Sequence, residues 1–260
     1  MRTLSDCLQN RRWQWRASPF PHVVARNVFT EPIYREQAAA FRAILDRGLA
    51  DSTDPDRFSR SVAGYDVFAY NFHRRLSGSL DIFLSREWHD TIANAVGVTA
   101  TGDVKGGFHH HAVGSASGRV HNDLNPGWFS GQSDPNEINL SNHGLCNYHN
   151  GATHLPDTTP RETVRAAALI FYLNNPDWKS GDGGETGLYS GNRDPVEAPA
   201  VTIPPIDNSL MLFECTPHSY HAFIANMRRE RNSLIMWVHR RKDEVVRRWG
   251  ERAIVKWSRA

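Results

Sequence analysis

The amino-acid sequence predicts a mainly β fold of the sandwich or jelly-roll kind with flanking helices, and three observations carry that expectation. After residue 100 the apolar residues gather into short, strand-length runs: AAALIFYL (166–173), SLMLFE (209–214) and RNSLIMWVH (231–239). Turn signals punctuate them, namely Asn174-Asn175-Pro176, Gly181-Asp182-Gly183-Gly184 and Pro204-Pro205. Helical periodicity is confined to the first hundred residues and the C-terminal end, where it would supply cover for a sheet.

In chain order, Tyr34, Ala38, Phe41 and Leu45 recur at helical steps behind Thr30, a candidate cap, with Pro32 in the first turn. Leu80, Leu84, Trp88, Ile92 and Ala95 mark a second helix, predicted to be continuous from a cap at Ser77 or Ser79 to a stop at Gly97. The stretch 127–160 is polar, rich in Asn, Gly and Ser, and has no sustained period, so it reads as a long loop inserted in the β region. A short basic amphipathic helix is expected near Lys242 to Arg252. One domain is expected: residues 1–100 as largely helical support, 101–240 as the β core with the insertion 127–160, and 241–260 as a C-terminal helix.

Composition excludes several function classes. A chain of 260 residues with 40% hydrophobic and 22% charged residues and a net charge of +2 is neither disordered nor a polyelectrolyte. The basic, aromatic segment Arg11, Arg12, Trp13, Trp15 and Arg16 is short and has no recognition motif, so nucleic acid is not an expected partner. Cys7, Cys146 and Cys215 are scattered and form neither a disulfide framework nor metal-site spacing. The N-terminus is interrupted by charge too often for a signal peptide, and no apolar run is long enough to span a membrane. A cytoplasmic protein is the expectation.

The supply of 13 histidines and 8 tryptophans is less ordinary, and histidine is the commonest metal ligand. Most histidines are surface or hydrogen-bonded core residues. Position therefore decides which are exceptions. In His121-Asn122-Asp123 an imidazole and a carboxylate stand two residues apart, which on an extended strand puts both on one face. Chance supplies on the order of one such pair in a chain like this, so a third ligand is needed. His221, in the segment TPHSYHAF that follows SLMLFE, completes the facial triad that holds iron with open coordination positions. His218 competes with it, but it stands beside Pro217, where a turn is expected, whereas His221 lies among aromatic and apolar residues.

Ten residues further on, Arg231 opens the strongest β run and by period two shares a face with Ser233, Ile235 and Trp237. An arginine on such an apolar face needs a carboxylate for its planar fork. An ordinary salt bridge to Glu214 or Glu230 would supply one, and an anionic co-substrate would supply the other.

Taken in order, these segments resemble the prolyl-hydroxylase-like branch of the Fe(II)- and 2-oxoglutarate-dependent oxygenases over roughly residues 100–240. The resemblance is carried by GRVHND around His121 and Asp123, by LIFYLNN, by Gly183 to Thr186 (GGET), and by His221 followed by Arg231 and Ser233. It implies a double-stranded β-helix, a jelly-roll and cupin-like core with helices packed on its larger sheet. It further implies Fe(II) held by His121, Asp123 and His221, with O2 as oxidant and 2-oxoglutarate as co-substrate held by Arg231 and Ser233. Tyr172 would add a hydroxyl there or serve as a core tyrosine. The carboxylate of Asp123, where halogenating relatives have a small residue, implies hydroxylation.

The interval between His121 and His221 is longer than the family's usual one, and the excess falls in 127–160, a candidate lid or specificity loop. His109 and His111 alternate onto one face, either lining the pocket or solvated on an edge strand. A small molecule such as an amino acid or secondary metabolite is the expected substrate, with a prolyl or other residue of a peptide as the alternative. Two further readings are a cupin-like metal dioxygenase without 2-oxoglutarate and a non-catalytic ligand-binding jelly roll.

Overall fold

Strands that are apolar on both sides need cover on both sides, and the architecture supplies it. The computed structural model describes residues 3–60, 64–131, 134–153 and 155–257. The chain opens with a one-turn helix α1 (Leu4–Cys7), strands β1 (Gln14–Arg16) and β2 (His22–Arg26), and helix α2 (Glu31–Leu45). Short strands β3 (Leu49–Ala50), β4 (Phe58–Ser59) and β5 (Phe68–Asn71) precede helix α3 (Arg86–Ala95). Then come β6 (Asp103–His111), β7 (Pro126–Phe129), β8 (Asn139–Leu140), β9 (Arg161–Tyr172), β10 (Thr186–Tyr189), β11 (Val201–Ile203), β12 (Ser209–Glu214), β13 (Tyr220–Phe223) and β14 (Arg231–Arg241), closed by helix α4 (Lys242–Trp249).

Among the described residues these strands form an eleven-stranded sheet with the path β1-β2-β12-β9-β14-β6-β5-β4-β3, on which β7 pairs with β9 and β8 with β6. A second sheet, β11-β10-β13, faces it. Alternation along the central strands sorts their side chains. Leu169, Phe171, Leu210, Leu212, Leu234 and Met236 join Phe41, Phe83, Trp88 and Ile92 in a core under the helices. Their neighbours Ala168, Ile170, Tyr172, Met211, Phe213 and Ile235 join Leu188 and Ile203 in a second core between the sheets. This is the double-stranded β-helix expected from the resemblance.

Differences from the sequence reading have local causes. The first hundred residues are not helical support alone: β1 and β2 extend the sheet beyond β12, and β3 to β5 extend it beyond β6. The helix expected from Leu80 to Ala95 is broken into a 3-10 helix, Gly78–Leu84, and α3. Ser85 takes an extended backbone, and its hydroxyl caps α3 by accepting from the Trp88 amide, a role assigned above to Ser77 or Ser79. The break still buries Leu80, Phe83, Leu84, Trp88 and Ile92, which is why a single helical period seemed to run through them. Helix α4 stops at Gly250, where φ is +80°, before the predicted Arg252. The segment 127–160 is not structureless: β7 pairs with β9 along Pro126–Phe129, and β8 pairs in parallel with β6. No helix among the described residues is long and apolar enough to cross a membrane.

Candidate functional site

Beside the second sheet, β13 meets the segment after residue 118, where the Gly118 amide donates to the Phe223 carbonyl at 2.9 Å. His121 and His221 form a reciprocal backbone pair: each amide donates to the other's carbonyl, at 3.1 and 2.8 Å. That pair holds the imidazoles side by side, 4.4 Å between ring centroids. Nδ1 of His121 lies 2.9 Å from the Arg119 carbonyl, and Nδ1 of His221 lies 3.1 Å from that of Ser219. A carbonyl only accepts, so both rings carry their proton on Nδ1 and present the Nε2 lone pair. Both Nε2 atoms turn to Asp123, at 3.9 and 3.5 Å from its two carboxylate oxygens. One ligand atom from each residue falls within 4.8 Å of the others, and this is the one such group of three among the described residues. His121 is the single bridge residue of an otherwise irregular segment, so the backbone pair to His221, and not a long strand, aligns the motif. His218 is exposed in the turn and lies outside the group.

Burial alone would raise the Asp123 carboxyl, but the Arg165 guanidinium and the two imidazoles outweigh it and hold the group well below the ordinary carboxylate range. Arg165 Nη1 donates to Oδ1 at 2.5 Å and Trp237 Nε1 donates to Oδ2 at 2.7 Å. Desolvation of the ring, with the neighbouring His221, pushes the His121 imidazole down to about 4, although 46% of the side chain stays exposed. At neutral pH the His121 imidazole is thus neutral and the Asp123 carboxylate ionised, the forms in which each binds a metal.

Arg231, Ser233 and Tyr172 lie deeper between the sheets. Arg231 is 3% exposed, and its guanidinium donates to Ser233 Oγ at 2.8 Å and to Thr186 Oγ1 at 3.3 Å. Tyr172 Oη and Thr186 Oγ1 are 2.7 Å apart, and the guanidinium carbon lies 5.3 Å from the Tyr172 ring. No carboxylate pairs with Arg231 among the described residues, and its Nε has no hydrogen-bond partner there. The acids that sequence offered for an ordinary salt bridge are engaged elsewhere: Glu214 by Arg240 and Arg248, and Glu230 by Arg42. A buried guanidinium without an anion is costly, so the cradle fits a ligand carboxylate.

The GGET loop owes its glycines to this cradle. Gly183 has φ +80°, and a Cβ there would fall 2.1 Å from the Ala225 carbonyl oxygen. Gly184 has φ +86° and packs against the Arg231 stem, 3.2 Å from where its own Cβ would be. Gly183→Ala is expected to destabilise the protein by about 3 kcal/mol and to weaken 2-oxoglutarate binding, as read by urea denaturation and co-substrate titration. Unchanged values in both would separate the loop from the cradle.

Several residues around the site went unread in the sequence. Arg165 is 5% exposed and lies between Asp123 and Tyr148, whose hydroxyl accepts from Arg165 Nε at 3.2 Å, and its guanidinium carbon stands 3.7 Å over the Trp237 ring. It reaches the site through an irregularity: Val238 pairs with Ala167 but His239 with Arg165, leaving Ala166 as an extra residue. Strict alternation would have sent Arg165 to the helix side with Ala167 and Leu169. Tyr148 comes from the inserted segment and is fully enclosed. His109 and His111 face the interior beside Tyr65, and β6 lies within the sheet between β14 and β5, so neither histidine is a solvated edge residue.

Comparison with known proteins agrees with this geometry. Residues 145–239 match the 2OG-Fe(II) oxygenase superfamily, a stretch that includes His221 and Arg231 and begins after His121 and Asp123. The prolyl 3,4-dihydroxylase OGFOD1 of Ostreococcus tauri is 32% identical over 109 residues, covering 39% of this chain. The chain spans about a fifth of that relative's length, the match covering 21% of it. Among solved structures, a prolyl-4-hydroxylase of Pseudomonas putida superposes with a TM-score of 0.55 at 16% identity, over 85% of this chain and 92% of the other. A prolyl hydroxylase of Trichoplax adhaerens, solved with a hypoxia-inducible-factor peptide fragment, gives 0.52 at 15% identity, over 87% and 86%. At such identity these two speak for the fold alone. By sequence match over residues 145–239 the chain is similar to the 2OG-Fe(II) oxygenase superfamily, and its fold agrees with the likeness to the prolyl-hydroxylase-like branch.

Proposed function

We propose that the protein is an Fe(II)- and 2-oxoglutarate-dependent hydroxylase that acts on a prolyl or other residue of a peptide or protein. The observation that carries the class is the pairing of two features between the same two sheets. Three possible metal donors converge, from His121, Asp123 and His221, and a buried arginine, Arg231, lies between the same two sheets without an acid of its own among the described residues. In this reading the three donors hold Fe(II), while Arg231, Ser233, Thr186 and Tyr172 take the distal carboxylate of 2-oxoglutarate. When bound, iron and co-substrate supply the redox chemistry: O2 places one oxygen atom in succinate and one in a substrate C–H bond, with loss of CO2. The chain's own part is positional. Arg165 and Trp237 fix the Asp123 carboxylate, and the two backbone carbonyls fix the histidine tautomers.

Sequence favoured a free small molecule as substrate, but two observations favour the peptide alternative. The matched curated relative is a prolyl dihydroxylase. His121 keeps 46% of its side chain exposed while those of Asp123 and His221 are buried, so the group is reached from solvent past His121, where a residue carried on a chain can approach it. The test incubates the protein with Fe(II), 2-oxoglutarate, O2 and either proline-containing peptides or free amino acids, following succinate and a product one oxygen atom heavier. Hydroxylated peptide is the expected product; hydroxylation of free amino acids alone would return the small-molecule reading.

A further inference from the structure

Beyond the iron-binding group, on the side away from Arg231, β6 carries Lys105. Alternation puts it on the interior face with His109 and His111, and in the sheet register it stands opposite Trp237. It is 7% exposed, yet its ammonium makes no hydrogen bond or ion pair among the described residues; the Tyr148 ring, 5.0 Å away, is what it faces. The nearby groups make matters worse for it. Arg165 carries the same charge, and Lys105 helps to hold His143, His149 and His239 in their neutral form. Burial, with Arg165 beside it, pushes the Lys105 ammonium down to about 8.

The local carboxylates are committed. Asp123 is held by Arg165, and Asp103, two residues along the same face, receives both Arg161 hydrogen bonds, at 2.8 and 3.0 Å. Lys105 is therefore left without a carboxylate among the described residues, and a buried charge without a partner costs several kcal/mol. The co-substrate does not supply the missing anion. Arg231 pairs with His111 and Trp237 with Lys105, six residues apart on one strand, so roughly 20 Å separates the two positions along the sheet. A five-carbon diacid held by Arg231 falls far short of that.

We propose that Lys105, covered by Tyr148 and His149 of the inserted segment, receives a carboxylate of the substrate. This rests on the hydroxylase reading above and adds a substrate class: the oxidised residue is presented together with an acidic group. Two sources share that chemistry, an acidic side chain flanking the target residue in a peptide or the target's own α-carboxylate. The inserted segment then acts as a specificity element, because its Tyr148 ring faces the Lys105 ammonium.

The experiment compares wild type with Lys105→Met, which keeps the stem and removes the charge. The probes are proline peptides with Asp or Asn beside the proline, and N-acetylproline with its amide. Succinate formation stimulated by each probe is the readout. The expected result is a KM about a hundredfold lower for a carboxylate probe than for its amide in the wild type, with the preference gone in Lys105→Met. Preference for the Asp peptide assigns the group to a flanking residue, and preference for N-acetylproline assigns it to the α-carboxylate. Equivalence of carboxylate and amide probes in the wild type, including failure of all four to stimulate turnover, overturns the proposal, as does a preference that survives in Lys105→Met. Melting temperature gives a second readout: Lys105→Met is expected to melt no lower than wild type, since a buried unpaired charge is replaced by an apolar group. A markedly lower melting temperature would make Lys105 a structural residue and overturn the proposal. The Fe(II)–2-oxoglutarate absorption band of the wild type is recorded alongside; its absence would instead overturn the hydroxylase reading.

Discussion

Asp123→Ala is expected to abolish hydroxylation, to strip iron from the protein, and to lower folding stability by about 3–5 kcal/mol. The loss of iron follows from losing one of three donors. The loss of stability follows from Arg165, which is 5% exposed and would be left with a buried charge and no carboxylate. Asp123→Asn keeps an acceptor oxygen for only one of the two donors now on the carboxylate, Arg165 Nη1 and Trp237 Nε1, and removes the charge, so it is expected to lose less stability than Asp123→Ala. That variant should remain folded and still bind iron poorly. Iron content by elemental analysis and stability by urea denaturation check both variants. Normal activity in Asp123→Ala would remove Asp123 from the donor group.

Arg231→Ala is expected to raise the 2-oxoglutarate concentration needed for half-saturation by about 10²–10³-fold, the effect of deleting one side of a buried, charge-assisted pair. Iron content should be unchanged, because the guanidinium touches Ser233 and Thr186 and none of the three donors. Arg231→Lys should recover only part of the affinity, since an ammonium offers a point charge where the co-substrate carboxylate meets a planar fork. Co-substrate titration with iron saturating is the measurement. An Arg231→Ala protein with wild-type affinity would place the carboxylate elsewhere.

The central strands were legible in sequence for a physical reason. β9, β12 and β14 are buried on both faces, so they read as unbroken apolar runs, and the polar residues that interrupt them, Arg231 and Ser233, stand out as site residues. The convergence of His121, Asp123 and His221 was legible because a candidate metal triad restricts residue type and because their order along the chain resembles a known arrangement. Arg165 was not, because the extra residue at Ala166 turns it away from the face that alternation assigns, and no local signal marks that irregularity. Tyr148 and Lys105 were missed for a different reason. One lies in a segment without periodicity and the other among charged and histidine residues of β6, and it is long-range packing that encloses both. The split between the 3-10 helix and α3 was hidden because both pieces bury residues on one continuous apolar stripe.

Anaerobic titration of the purified protein with Fe(II) and 2-oxoglutarate, monitored for the weak visible charge-transfer band of the chelate, tests the hydroxylase reading most directly. The band is expected in the wild type, absent in His221→Ala, and shifted to far higher co-substrate concentration in Arg231→Ala. Iron binding without the band would turn the protein into a cupin-like metal enzyme that leaves Arg231 without its role. Failure to bind iron or another divalent metal at stoichiometric level would contradict the reading outright and leave a jelly roll that only binds its ligand.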